Sequence, residues 1–480
     1  MALLVPLGLA ATVPSATHLH ADTPLAEASP AAGAAFQGFG ASGAWWARDT
    51  GQMTEATRDR IAQLLFSRSG LGLSMYRYNV GGGGQISNPA RFTPGYLLGN
   101  GAYNWSADPA GRDMLERAAR YGVQRLVAFA NAAPPQFTTN GKGCGGQLRA
   151  DRVSQYAVYL ARVVEHLSTN GTPLSLVSPM NEPDSSFSGC QQEGMIVPDS
   201  LRAPLITAVQ QQLAKLGSGA GVMADESNGT GILLSEAHDW LPGLSTAPAA
   251  LVYHAYNSPD AAQLQAVGAL GAQVSRPVFM SEVCCLYHDR YSIGFHPGME
   301  SGIWLARAIW SNVTEAGASS FSWWVALSPE LGCDARTPAC GTLVNNQGWD
   351  DGLIYYDRDY RSDHDMRLVL TKRYWVYAQF SRWITTGMQP HVVTGSTGGA
   401  GVVVFTGNGR TVVVAISPAN TSAATRVAVR LPWLATAKAT VYRTSPTQNA
   451  ASLPAVSTAA GVLTMTLPAQ SVTTYVLPGS

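Results

Sequence analysis

Between residues 36 and 386 short apolar runs alternate with longer amphipathic stretches eight times, and this alternation narrows the possible fold more than any other feature. The runs fall at 36–43, 72–79, 126–129, 174–178, 221–226, 251–256, 277–282 and 319–324. Each is too short for a helix and apolar on both faces, as a strand buried in a parallel sheet must be. Helical stretches lie between them. One opens at Thr54, an N-cap with Glu55 in its first turn and Ile61, Leu64 and Leu65 at helical spacing. Others are expected at 108–121, 152–167, 201–216, 302–316 and 372–384. The pattern predicts an α/β fold, a (β/α)8 TIM barrel with large insertions, whose active site forms at the C-terminal strand ends.

Two of those strand ends carry a glutamate. Glu182 stands in Ser178-Pro179-Met180-Asn181-Glu182-Pro183, and Glu282 in Val278-Phe279-Met280-Ser281-Glu282-Val283. An Asn-Glu-Pro alone is a weak signal, since a glutamate before proline often opens a helix or pairs in a loop. Two carboxylates on separate strand ends of one barrel are what glycoside hydrolysis requires. Other chemistries lack their signatures. The run Gly81 to Gly84 has no Gly-Lys-Ser/Thr ending and opens no helix, so it is not a phosphate loop. No Gly-x-Ser-x-Gly elbow marks an esterase.

Beyond residue 387 the texture changes to Val- and Thr-rich runs at 402–405, 411–415, 427–429, 439–442 and 473–476, separated by Gly, Asn and Pro turns. This predicts a C-terminal antiparallel β-sandwich side domain over 387–480, and the lack of a polar linker predicts that it packs on the barrel. Residues 1–21 read as a signal peptide without the usual leading cation, and 22–34 as a disordered Ala/Pro-rich lead. No later stretch is long and apolar enough to span a bilayer. Lys and Arg total 31, as do Asp and Glu, so no basic footprint for nucleic acid or an anionic membrane exists. The 12 Trp and 18 Tyr suit a neutral, stacking-rich surface on a secreted protein, although most will be core. Six cysteines allow up to three disulfides. Cys333 and Cys340 can close their loop locally, and Cys284-Cys285 can form a vicinal bridge or pair with another loop. None has zinc spacing, and no metal or cofactor is expected.

The chain resembles glycoside hydrolase family 30 over nearly its whole length. The resemblance rests on Gly38-Phe39-Gly40, Met75 to Gly83, Pro134-Pro135 with Asn140-Gly141, the Asn-Glu-Pro motif, the Ser281-Glu282 strand and Lys372 to Arg382. Trp45-Trp46 and Gln192-Glu193-Gly194 are most similar to the branch acting on β-1,6-linked galactan. It implies Glu182 as acid/base and Glu282 as nucleophile of a retaining reaction, with carboxyl groups about 5–5.5 Å apart. It also implies Asn181 on the sugar 2-hydroxyl, and Arg77 and Tyr256 holding the nucleophile. Trp46 and Trp324 are candidates for stacking on sugar. His254 joins this set as a hydrogen-bonded structural residue rather than a proton carrier, and Asp225 and Glu226 form a polar reserve. The expected partner is a polysaccharide or oligosaccharide, met by a secreted monomer that inserts into no membrane. Glucuronoxylanase, β-1,6-glucanase and glucosylceramidase activities fall within the same resemblance, Arg290 and Arg336 being available to read a uronic acid. A carbohydrate-binding protein without catalysis is the alternative of another class.

Overall fold

The computed structural model describes residues 25–287, 290–291, 293–364, 366–419 and 421–479. The expected signal peptide lies outside the described residues, as does the side chain of Arg290. Eight parallel strands close into a barrel: β1 (Gly38–Ser42), β2 (Met75–Asn79), β3 (Arg125–Phe129), β4 (Leu176–Ser178), β5 (Gly221–Ser227), β6 (Ala250–His254), β7 (Val278–Glu282) and β8 (Ser320–Ser328). Closure is direct, because β8 pairs with both β7 (Phe279 opposite Ser320) and β1 (Phe321 opposite Phe39). A helix follows each strand: α1 (Glu55–Phe66), α2 (Pro109–Arg120), α3 (Val153–Thr169), α4 (Asp199–Lys215), α5 (Thr230–Trp240), α6 (Ala261–Gln273), α7 (Met299–Thr314) and α8 (Lys372–Ser381). The cap at Thr54 forms as its sequence predicts, its hydroxyl accepting from the Thr57 amide and turning Ile61, Leu64 and Leu65 into the core.

The inward positions of the strands explain where the chemistry sits. Met75, Val127, Leu176, Met223, Ala250, Val252 and Phe279 fill the lower barrel as a separate apolar cluster. Two residues further along β2 and β6 the same inward face carries Arg77 and His254. The apolar plug therefore forms a dry floor for the polar groups above it.

The side domain is a nine-stranded mixed sheet, and its composition departs from the sequence reading at one end. From Leu25 onward the Ala/Pro-rich lead is ordered: Leu25–Ala32 forms a strand antiparallel to Gln389–Gly395 and parallel to Thr425–Arg430. It therefore belongs with the C-terminal strands rather than standing apart from a domain that begins at 387. Alternation lets the sheet bury both faces. Val402, Val404, Val413 and Ala415 join the side domain's own core, whereas Val403, Phe405, Val412, Val414 and Ile416 join the barrel's core. Trp383 stacks on Tyr442 at 4.4 Å across the same contact. The two parts share a continuous apolar boundary.

Candidate active site

Glu182 and Glu282 project from the ends of β4 and β7, with β5 and β6 between them, into one buried cluster. Glu182 follows β4 in a left-handed conformation (φ 44°), with its amide donating to the Glu226 carbonyl at 3.0 Å. Glu282 ends β7 where pairing with β6 shifts register between Met280 and Glu282. Arg77 Nη1 donates to Glu282 Oε2 at 2.8 Å, and the Tyr256 hydroxyl donates to Oε1 at 3.0 Å. These two donors fix the nucleophile candidate from opposite sides. Arg77 is itself wholly buried, its guanidinium 4.3 Å from the Phe129 ring centroid.

His254 joins the acids. Its Nδ1 lies 3.0 Å from Glu182 and 3.5 Å from Glu282, and its Nε2 lies 2.9 Å from Glu226. Burial alone would lower its pKa, but the charge of Glu282 and the hydrogen bonds to Glu182 and Glu226 outweigh it and push it up to about 10. The ring is thus an imidazolium with both nitrogens donating. Glu226 is held down to about 2: burial opposes ionisation, and Arg77 and His254 overcome it. It also accepts from the Ser281 hydroxyl. For Glu282, burial and the nearby Glu182 raise the pKa, while His254 and Arg77 oppose the rise without cancelling it.

Glu226 is the residue that sequence reasoning undervalued. Plain alternation along β5 would aim Asp225, not Glu226, into the barrel beside Met223. The register shift between Asp225 and Ser227, together with the left-handed φ of 66° at Glu226, reverses this. Asp225 turns outward to Arg202 on α4 at 2.8 Å, and Glu226 turns inward. A non-glycine residue rarely adopts such a φ, and both Glu182 and Glu226 do so beside the same histidine.

The remaining candidates divide. Asn181 is buried beside Glu182 in the chain, with its side-chain oxygen unpartnered. Trp324 on β8 donates its amide to the Val283 carbonyl, placing it beside the nucleophile strand. Trp46 is packed in the wall, 3% exposed, its indole N–H on the Ser42 carbonyl and its ring edge-on to Tyr76. Its neighbour Trp45 is the part-exposed one, 5.3 Å from Trp324 and overlaid by Arg91 at 4.9 Å. Arg336 is ion-paired to Asp334 at 2.9 Å on a surface loop. Asn131, just past β3, is fully buried with an unpartnered oxygen and was not singled out by its sequence context.

Loops frame the cluster. Glu193 lies under the glycine run, accepting from the amides of Gly82 and Gly83 at 3.2 Å each, and burial pushes its carboxyl up to about 8. A side chain at Gly82 would meet the Ala133 and Ala132 carbonyls, so glycine permits that close approach. Cys144 bridges to Cys190, Cys333 to Cys340, and Cys284 to Cys285 directly behind the nucleophile. Trp349 Nε1 donates to Cys285 Sγ at 2.7 Å.

A family model described as O-Glycosyl hydrolase family 30 matches residues 31–241. The chain is 24% identical over 393 residues to an endo-β-1,6-galactanase of Hypocrea rufa, covering 74% of this chain and 73% of that protein. The family match spans less than half of the chain, and together with this relative it supports a likeness to family 30 glycoside hydrolases near the galactanase branch. A second relative, an exo-β-1,6-galactobiohydrolase of Bifidobacterium longum subsp. longum, is 23% identical over 437 residues, covering 67% of this chain and 28% of that protein. Among solved structures, the catalytic domain of a family 30 xylanase C from Talaromyces cellulolyticus shares the fold, with a TM-score of 0.72 at 20% identity, covering 95% of this chain and 100% of that one.

One oxygen each of Glu182 and Glu282 and a nitrogen of His254 lie within 4.8 Å of one another, a spacing a cation can use. The donor set argues against one. An imidazolium has no lone pair to give, and its three carboxylate neighbours stabilise that charged form.

Proposed function

We propose that this protein is a secreted, retaining endo-β-1,6-galactanase acting by double displacement. The observation that carries the mechanism is the placement of carboxylate oxygens of Glu182 and Glu282 within 4.8 Å of each other. That spacing fits a retaining pair and leaves too little room for the water an inverting enzyme places between acid and base. Glu282, oriented by Arg77 and Tyr256, attacks the anomeric carbon as Glu182 protonates the departing glycosidic oxygen. In the second half Glu182 takes a proton from water, which displaces Glu282 and regenerates the free acid and carboxylate. Asn181 contacts the 2-hydroxyl of the bound sugar. Arg77 and His254 bring positive charge to the carboxylates, and Trp45 with Trp324 offers aromatic surface beside them.

The β-1,6-galactan substrate is supported by the two relatives named for that linkage and by the Gln192-Glu193-Gly194 stretch, whose glutamate shapes the glycine loop. Secretion is supported by the three disulfides. A monomer acting on polymer is part of this reading. A glucuronoxylanase is the second reading, favoured by the family 30 xylanase fold. The test is incubation of the purified chain with β-1,6-galactan, glucuronoxylan and β-1,6-glucan, with product lengths resolved and Glu182→Gln and Glu282→Gln run beside it. A ladder of galactose oligomers from the first polymer, lost in both variants, supports the proposal. Activity confined to another polymer contradicts the substrate assignment.

A further inference from the structure

The reaction makes no use of a groove that runs along the outer face of α7, between the barrel and the side domain. It encloses about 720 Å³, within the usual size of ligand pockets, which favour domain boundaries. Its floor is one face of α7, from Glu300 to Ser311 at helical spacing, a length of about 16 Å. Its far wall comes from Ser417, Thr421 and Gln470 of the side domain. Ala255 and Val283 close one end. They adjoin Tyr256 and Glu282 in the chain, so the groove backs onto the strand ends that bear the catalytic cluster.

Two groups on the floor have unused bonding capacity. Arg307 donates through Nη2 to the carbonyls of Ser417 at 3.0 Å and Gly399 at 3.5 Å, yet its Nε is buried without a partner. Among the described residues no carboxylate ion-pairs with it. Trp310 is part-buried beside Gly401, and among the described residues its indole N–H meets no acceptor. Ile303 adds an aliphatic surface on the same face. The charges are mixed, Asp260 and Glu300 against Arg307, which suits neither a polyanion nor a lipid tail. An aromatic and aliphatic floor edged by donors and acceptors of both kinds suits a neutral sugar chain, which presents C–H faces and hydroxyls together.

We propose that this groove is a second, non-catalytic glycan site that holds a neutral oligosaccharide stretch of the polymer cut at the glutamates. The choice of sugar rests on the galactanase reading. The test titrates a β-1,6-linked galactotetraose into the full-length Glu282→Gln protein by calorimetry. Two classes of site are expected. Trp310→Ala should weaken the second by about tenfold, the order expected for loss of a stacking aromatic, and Ala308→Trp, which fills the groove while keeping Arg307 in the chain, should abolish it. In the otherwise active protein neither change should alter kcat/KM on a short chromogenic galactoside, which occupies the cleft alone. A single class of site that neither variant alters overturns the groove and leaves the galactanase reading standing. Binding at the groove without binding at the cleft supports the groove and contradicts that reading, and binding at neither contradicts both.

Discussion

His254 Nε2 lies 2.9 Å from Glu226, and both side chains are wholly buried. Below about pH 10 the pair places a cation against the acid/base and nucleophile candidates, and neither side chain has surface exposed to a sugar. Glu226 is therefore a positioning residue. Replacing it with Gln removes one of the three carboxylates that hold His254 charged, so the imidazole pKa falls from its raised value. We expect kcat/KM to drop about 10- to 100-fold, the scale for misplacing a catalytic group, and the alkaline limb of the pH–rate profile to move to lower pH. An unchanged limb would contradict the role.

Arg77 binds Glu282 at 2.8 Å and Glu226 at 3.3 Å with no exposure to water. Arg77→Met leaves two carboxylates buried against a single imidazolium. Removing one partner of such a pair costs about 3–5 kcal/mol, which denaturant unfolding will show. Because the lost cation favours ionised Glu282, the acid limb of kcat/KM should also move to higher pH in any surviving activity.

The same cluster sets a stability window. Glu226 has its folded pKa depressed to about 2, so its contribution is present above the ordinary glutamate value of 4.5 and fades as pH falls through 2. His254 has its folded pKa raised to about 10, so its contribution is full below its ordinary 6.5 and is lost as pH rises through 10. Both terms are complete between pH 4.5 and 6.5. Thermal midpoints across pH should show Glu226→Gln losing most within that window and little once the pH has fallen to about 2.

The disulfides should separate stability from activity. Cys144–Cys190 spans 46 positions, and its loop-closure entropy corresponds to about 4 kcal/mol. Cys284–Cys285 spans one position and closes essentially no loop, yet it sits behind Glu282 with Tyr256 3.9 Å from one sulfur. Cys284→Ala/Cys285→Ala should therefore leave the unfolding midpoint within about 2 °C while lowering kcat/KM about tenfold or more through the nucleophile's support. Cys144→Ala/Cys190→Ala should show mainly the stability loss in urea.

What could be read from sequence followed from periodicity. The apolar runs located all eight barrel strands, and their ends located Glu182 and Glu282. What could not be read depended on local departures from period. The shift along β5 exchanges the directions of Asp225 and Glu226, and nothing in the residue types announces it. Trp45 and Trp46 are chemically alike, so the turn after β1, rather than their identity, decides which is packed and which faces the opening. Leu25–Ala32 has weak strand character alone, and its partners lie more than 350 positions away, which hides its pairing from any local window.

The central claim is that Glu182 and Glu282 form a retaining pair, and the stereochemistry of the first product tests it directly. Proton NMR of a β-1,6-galactan digest, recorded before mutarotation, should show the β-anomer of the new reducing end appearing first. The signal should be absent in Glu282→Gln. Initial release of the α-anomer would mean inversion, and would contradict the assignment of Glu282 as nucleophile.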